Sequence, residues 1–155
     1  MQDLSEQVAT YQLPTHAAEL IRTTKIVLLA GITSAGKDTI KKELLKKLEF
    51  RDIISHTTRQ PRLNNGVMEI DNLDYHFISE SAAKTMLDSE EFIEAKFVHG
   101  TIYGTSVKAL QQIHDENKIA ITDIDVQGVA EYKKISQDVM AVFVLPPDYT
   151  TWLER

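Results

Sequence analysis

The sequence has 155 residues, a formal net charge of −6 and no cysteine. A chain of this length suits one domain, which buries roughly 70% of its unfolded surface without metal or disulfide staples. The lack of cysteine excludes disulfides and thiolate chemistry and fits a reducing, cytoplasmic location. Because the net charge is negative and no apolar run has membrane-spanning length, we expect neither a nucleic-acid nor a membrane partner.

The N-terminal extension, residues 1–24, precedes the first predicted strand, and we assign it no chemistry. Residues 1–13 are polar and irregular, so we expect them to be mobile. Residues 14–22 are predicted to form a short helix that docks on the domain through Leu20 and Ile21.

A glycine-bounded loop follows the apolar run 26–30, which predicts a buried parallel strand because its apolar residues are continuous. Strand, G-x-x-x-x-G-K loop and helix form the context in which backbone N–H groups and a helix N-terminus bind nucleotide phosphates. Asp38 stands where the strict motif has the serine or threonine that ligates Mg²⁺. The predicted phosphate site comprises Gly31, Ile32, Thr33, Ser34, Ala35, Gly36, Lys37, Asp38 and Thr39.

The next predicted helix, about residues 37–48, has an apolar stripe and a lysine-rich face. We expect the stripe to be buried, and we interpret the lysines as a solvated face rather than a second anion site. The stripe comprises Ile40, Leu44, Leu45 and Leu48, and the solvated face comprises Lys41, Lys42, Glu43, Lys46 and Lys47.

Two arginines, Arg59 and Arg62, follow a predicted short strand at 52–56 and are separated by a proline that disfavours helix. Both guanidinium groups can reach from an extended segment toward one phosphate, although such a pair alone is more often a surface feature. Further along, residues 63–72 are predicted to be a loop. Strands are predicted at 73–79, 92–98 and 101–104, and helices at 80–89, with Ser79 as its cap, and at 106–117.

Two carboxylates, Asp123 and Asp125, end the apolar strand predicted at 119–125. Acids at the carboxyl end of a parallel strand lie where open α/β sheets bind ligands, and beside a phosphate loop they are candidates for organising Mg²⁺. The remaining chain is predicted as a helix at 127–135, a strand at 139–145 and a last helix capped by Asp148 that ends at Arg155.

Several separated segments together resemble the guanylate kinase family, and they occur in family order from about Lys25 to the C-terminus. The resemblance implies an α/β fold, with a P-loop parallel-sheet core, helices on both faces and an inserted small α+β subdomain that binds GMP. The core would be 25–55 and 105–155, and the insert about 56–104. Besides the phosphate loop, the segments are 55–62, Glu69 with 74–77, 92–94, 103–105 and 123–128.

The same resemblance implies transfer of the γ-phosphoryl group of ATP to GMP with Mg²⁺, and it gives no prediction of oligomeric state. It assigns ATP to the phosphate loop, catalysis to Lys37 and Arg59, and Mg²⁺ to Asp123 and Asp125 through water. Arginines and tyrosines would hold the GMP phosphate, Glu69 would orient the arginines, and carboxylates would accept hydrogen bonds from guanine. The implied GMP site comprises Ser55, Arg59, Arg62, Glu69, Tyr75, Glu94, Tyr103, Thr105 and Asp123.

The sequence departs from the family pattern at Ser34, Asp38 and Asn72 and in a longer spacer between the arginines and Glu69. It also stops at Arg155, where family members continue into an arginine-bearing lid, so we expect a chain of this length to bind GMP but turn over poorly. Two alternatives stay open at this stage. One is an inactive guanylate-kinase-like module that binds a phosphorylated partner, and the other is a related P-loop kinase for another small phosphorylated acceptor.

Overall fold

The structure is a computed structural model that describes residues 3–64 and 66–153. The end of the predicted last helix, at Arg155, lies outside the described residues. The helices are α1 (Leu4–Thr10), α2 (Thr15–Thr23), α3 (Lys37–Leu45), α4 (Glu80–Asp88), α5 (Val107–Asp115), α6 (Val126–Ile135) and α7 (Tyr149–Leu153). The strands are β1 (Ile26–Ala30), β2 (Phe50–Asp52), β3 (His56–Thr57), β4 (Leu63–Asn64), β5 (Val67–Met68), β6 (His76–Phe77), β7 (Phe92–Val98), β8 (Thr101–Ser106), β9 (Ile119–Asp123) and β10 (Met140–Phe143).

The chain divides into two compact units. The first contains the chain up to Ala18 together with Ile54–Gln111, and the second contains Glu19–Ile53 and the chain from Gln112 onward. None of the helices in the described part of the chain has both the length and the apolar character needed to cross a bilayer.

The second unit is built on a four-stranded sheet in the order β10-β1-β9-β2. All of its pairings are parallel, and Leu29 of β1 lies opposite Asp123 of β9. The carboxyl ends of β1 and β9 therefore lie at the same edge, which places the loop after β1 beside the acidic end of β9. The α/β class and the parallel sheet that the apolar runs predicted are confirmed.

Three predictions about α3 are wrong. The helix ends at Leu45, and its apolar stripe is not buried, since Ile40 is 38% exposed and Leu48 is 78% exposed. Lys41 is not part of a solvated face, because it makes ion pairs with Asp52 and Asp123 at the ends of β2 and β9. The predicted strand 52–56 is also wrong as one element, since β2 and β3 belong to different sheets.

The first unit contains a second four-stranded sheet, in the order β6-β3-β8-β7. The pairings of β8 with β3 and β7 are antiparallel, whereas β3 and β6 are parallel. The apolar core of this unit lies where α1 and α4 pack on the sheet. Its fully buried members are Val8, Ala83, Leu87, Phe92 and Ile102.

Three predictions for the first unit need correction. The segment expected to be mobile contains α1, which is stabilised by burial of Val8 in the core. The predicted loop 63–72 contains the β4–β5 hairpin, and the predicted strand 73–79 is reduced to β6, with Tyr75 joined to Asp71 by an isolated bridge. The Ser79 cap of α4 is confirmed, since its Oγ accepts a hydrogen bond from the Ala82 N–H at 3.1 Å.

Candidate active site

The loop between β1 and α3 needs glycine at its first and last positions. Gly31 and Gly36 have φ angles of 147° and 105°, a region that residues with a Cβ atom rarely adopt. A Cβ atom on Gly31 would also collide with the carbonyl oxygen of Val144. The loop can therefore follow this path only with glycine at both ends.

Lys37 folds back over the loop from the first turn of α3. Its Nζ donates hydrogen bonds to the carbonyl oxygens of Gly31 at 2.9 Å and Ile32 at 3.0 Å. The ammonium group is thus held against the loop that leads into α3, whose N-terminal N–H groups and dipole favour an anion. Asp38 and Thr39 are exposed at the same turn.

The outer side of the loop is held from the C-terminal part of the chain and includes one strained residue. The indole Nε1 of Trp152 donates a hydrogen bond to the carbonyl oxygen of Thr33 at 2.9 Å. Ser34 has a φ of 61°, the left-handed region in which glycine is unstrained. The serine that departs from the family pattern therefore carries a backbone cost that glycine would not.

Lys41 connects the acidic ends of two strands. Its Nζ lies 3.0 Å from Asp123 Oδ1 and 3.2 Å from Asp52 Oδ2, and the Lys41 and Asp52 side chains are only 20% and 22% exposed. Burial acts to lower the pKa of Lys41, but the two carboxylates outweigh it and raise that pKa. Burial raises the pKa of Asp52, partly offset by Lys41.

Asp125, the other predicted Mg²⁺ residue, has a structural role. Its Oδ1 accepts a hydrogen bond from the Gly128 N–H at 2.7 Å and caps α6. Across the described residues, no three histidine, aspartate or glutamate side chains converge in a way that could hold a metal ion. A metal bound beside Asp123 would therefore depend on ligands that the nucleotide brings.

In the first unit, Arg59 and Glu69 form a buried two-pronged ion pair. The two terminal nitrogens of Arg59 lie 2.7 and 3.0 Å from the two carboxylate oxygens of Glu69, and the side chains are 9% and 10% exposed. Hydrogen bonding to Arg59 holds the pKa of Glu69 below its ordinary value, and the same contact raises the pKa of Arg59. Glu69 also accepts a hydrogen bond from the Arg62 backbone N–H at 2.7 Å.

Aromatic side chains surround the Arg59 guanidinium group. Its Nε donates to the hydroxyl of Tyr103 at 3.1 Å, and its central carbon lies 5.3 Å from the ring centre of Tyr75 and 5.8 Å from that of Phe77. The structure thus brings together four of the predicted phosphate-site residues: Arg59, Glu69, Tyr75 and Tyr103. Arg62 joins them through its backbone and lies at an exposed position.

Glu94 and Thr105 form a second polar pair in the same sheet. They lie directly opposite each other on β7 and β8, and the Thr105 Oγ1 donates a hydrogen bond to Glu94 Oε1 at 2.8 Å. Glu94 is half-buried. Ser55, at the entry to β3, accepts the His76 N–H with its carbonyl oxygen at 2.8 Å.

Asp123 belongs to the second unit, where it pairs with Lys41, whereas the other predicted guanine residues belong to the first. The sequence did not predict the ion pairs that Lys41 makes with Asp52 and Asp123 at the ends of β2 and β9. The available signal was the position of Lys41 one helical turn after Lys37, on the same face of α3.

The model of a known family, guanylate kinase, matches residues 23–155. The chain belongs to the guanylate kinase family. It is 40% identical to the guanylate kinase of Schizosaccharomyces pombe over 144 residues, which is 89% of this chain and 68% of that protein. It is 37% identical to the guanylate kinase of Clostridium perfringens over 131 residues, covering 84% of this chain and 59% of that protein.

A solved guanylate kinase has a similar structure. The crystal structure of guanylate kinase from Anaplasma phagocytophilum matches with a TM-score of 0.67 and 25% sequence identity, over 86% of this chain and 66% of that one. The chain thus spans about two thirds of that structure, 59% of the bacterial relative and 32% of a guanylate kinase from Oryza sativa.

Proposed function

We propose that this member of the guanylate kinase family transfers the γ-phosphoryl group of ATP to GMP, giving ADP and GDP. One observation carries the proposal: Tyr103 and Thr105 lie two residues apart on β8, so their side chains point to the same face. The Tyr103 side chain bonds to Arg59, and the Thr105 side chain bonds to Glu94. The arginine that we assign to the phosphate and the carboxylate that we assign to the nucleobase are therefore both held by side chains of β8.

The chemistry of guanine explains the carboxylate. Guanine presents two adjacent N–H donors on its Watson–Crick edge, and the carboxylate of Glu94 accepts from both. Adenine has a ring-nitrogen acceptor there, which would leave a half-buried carboxylate facing a lone pair. Sites built on such hydrogen bonds reject the wrong partner by as much as ~10⁴-fold.

The phosphate of GMP is assigned to the arginine and tyrosine cluster. Four of the five N–H donors of Arg59 bond to Glu69, Tyr103 and the Gln60 carbonyl oxygen, which fixes the plane of the guanidinium group and leaves one N–H of Nη2 for a phosphate. The exposed Arg62 supplies a second guanidinium group, and Tyr75 and Tyr103 supply hydroxyls. Because these guanidinium and hydroxyl groups are already in place, less free energy is needed to align the GMP phosphate for its attack on ATP.

The ATP phosphates are assigned to the loop 31–39 of the second unit. Backbone N–H groups at the N-terminus of α3 bind phosphate oxygens, and Lys37 leaves its two carbonyl partners to pair with the outer phosphates. Its charge then stabilises the γ-phosphoryl group as negative charge develops in the transition state.

Mg²⁺ fits this donor set when the nucleotide supplies most of its ligands, as is usual for this ion. When bound, Mg²⁺ neutralises charge on the phosphates. Asp123 is the residue that we assign to it, because its side chain is 42% exposed at the carboxyl end of β9. Asp125 is a weaker candidate because it caps α6. We place the reaction in the cytoplasm, where both nucleotides occur.

Calorimetric titration with GMP and AMP tests the acceptor assignment. We expect GMP to bind much more tightly than AMP, and Glu94→Gln to weaken GMP binding while leaving AMP binding nearly unchanged. Glu91→Gln is the matched control, since it neutralises an exposed carboxylate just before the same strand. Equal affinities for GMP and AMP in the wild-type protein would overturn the assignment of guanine.

A further inference from the structure

The N-terminal helix α1 lies outside the region that the guanylate kinase family model matches, which begins at residue 23. It nevertheless belongs to the first unit, where Val8 is buried in the core with Leu87 and Phe92. Leu4 and Tyr11 pack against the same cluster. A helix outside the matched region therefore forms part of the core of the unit that we assign to GMP.

Tyr11 uses one hydroxyl group to satisfy both backbone polar groups of a fully buried residue. The Tyr11 hydroxyl donates a hydrogen bond to the Phe92 carbonyl oxygen at 2.7 Å and accepts one from the Phe92 N–H at 3.1 Å. Phe92 is the first residue of β7. Without the hydroxyl, a buried N–H and a buried carbonyl group would both lose these partners, which is costly in a core.

The Tyr11 contact lies next to an irregularity in the pairing of β7 with β8. Phe92 lies opposite Ser106 and Glu94 lies opposite Thr105, so Ile93 is an extra residue on β7. An extra residue forms a β-bulge, which interrupts the ladder and redirects the side chains that follow it. The Tyr11 hydroxyl therefore binds the backbone immediately before this bulge.

The bulge determines which side chain faces Thr105. A shift of pairing by one residue sends every side chain of a strand to the opposite face, so the extra residue at 93 decides the face on which Glu94 lies. The packing around it is tight. A Cβ atom on Gly104 would lie 2.8 Å from the Glu94 carbonyl oxygen and 2.8 Å from the Phe92 ring.

We propose that α1 is a positioning element for guanine recognition, in which the Tyr11 hydroxyl fixes the bulge that sets Glu94 opposite Thr105. The inference rests on the proposed function, because it assigns guanine to Glu94. A second tether supports it, since the Gln7 side-chain amide donates a hydrogen bond to the Asp88 carboxylate at the end of α4. Tyr11 acts through the strand and does not itself contact the ligand.

The test is Tyr11→Phe, which removes the hydroxyl and keeps the packed ring. Calorimetry should show GMP binding weakened roughly three- to tenfold, with ATP binding unchanged. Tyr132→Phe is the matched control, because it removes another buried tyrosine hydroxyl but in the second unit. Its GMP affinity should equal that of the wild type. An unchanged GMP affinity in Tyr11→Phe, or equal losses in the two variants, would overturn the inference.

A double-mutant cycle of Tyr11 and Glu94 distinguishes a positioning role of Tyr11 from a general destabilisation of the first unit. The double variant Tyr11→Phe/Glu94→Gln should bind GMP no more weakly than Glu94→Gln alone, whereas losses that multiply independently would contradict the proposal.

Amide hydrogen exchange of the ligand-free protein gives a measurement that does not depend on GMP. Residues 92–94 should exchange at least tenfold faster in Tyr11→Phe, and unchanged exchange would sink the inference. If the wild type bound no GMP, the proposed function would fail instead.

Discussion

Lys37 and Lys41 lie one helical turn apart on α3 but have different environments. Lys37 is held by two loop carbonyl groups, whereas Lys41 is held by the carboxylates of Asp52 and Asp123. The motif predicted the first lysine because its partners lie within the motif. It could not predict the second, because one of its partners follows 82 residues later and meets it only when the sheet forms.

Replacing Lys37 by alanine should separate the two nucleotides. We expect Lys37→Ala to weaken ATP binding about 10- to 100-fold, the cost of a lost charge-assisted hydrogen bond, and to leave GMP binding nearly intact. Arg59→Ala should do the reverse, and Lys42→Ala, at an exposed position on the same helix, should change neither. Separate titrations with ATP and GMP provide the measurement. Loss of GMP binding in a folded Lys37→Ala protein would show that our assignment of the two nucleotides is wrong.

His56 should make the first unit sensitive to acid. Its pKa is lowered to about 4 by burial and by the neighbouring His76, with Asp71 acting in the opposite direction. Its Nδ1 is also buried without a hydrogen-bond partner in the described structure. Because the folded-state pKa is below the ordinary value of 6.5, the contribution to stability is present above pH 6.5 and is lost as the pH falls toward 4.

The effect between pH 7 and pH 4 is on the order of 1–3 kcal/mol, because solvent around the half-buried ring screens part of the full free-energy difference. Urea unfolding at both pH values should show that His56→Leu loses less stability on acidification than the wild type. His16→Leu, at an exposed position in α2, serves as the control. If His56→Leu and the wild type lose equal stability, then the neutral state of buried His56 does not contribute to the pH dependence.

At the scale of elements, strands and helices with clear apolar patterns were predictable, whereas those defined by distant contacts were not. The sequence located β1, α4 and β7 within two residues at each end, because their apolar residues recur at strand or helix spacing. It missed α1, whose burial depends on Val8 packing against α4 and β7. It also missed the β4–β5 hairpin, because a turn-rich segment resembles a loop until its two short strands pair.

Gly104 should prove essential to the β7–β8 pairing. A methyl group there would press on the Phe92 ring and the Glu94 carbonyl group, so Gly104→Ala should destabilise the protein by about 1–3 kcal/mol. Gly100→Ala is the contrast, since nothing lies within 4 Å of its added Cβ and only its φ of 78° opposes the change. Urea unfolding compares the two variants. A Gly104→Ala protein as stable as the wild type would show that the strands can move apart at no cost.

For the whole molecule, the motifs predicted which residues carry the chemistry better than they predicted how those residues are held. Arg59, Glu69, Tyr75 and Tyr103 were assigned to one phosphate site by resemblance, and the structure brings their side chains together. The ion pair of Lys41 and the bulge before Glu94 were not predictable, since both arise from packing between elements distant in sequence. The roles of these residues toward the nucleotides remain our proposal.

The most direct test of the proposed function is to follow the phosphoryl group itself. The folded protein is incubated with Mg²⁺, ATP labelled at the γ-phosphate and either GMP or AMP, and the nucleotides are then separated. We expect label to appear in GDP above a protein-free blank, at any rate however slow, with far less in ADP formed from AMP and none above the blank for Lys37→Ala. No labelled GDP from a folded protein that binds both ATP and GMP would contradict the proposed phosphoryl transfer.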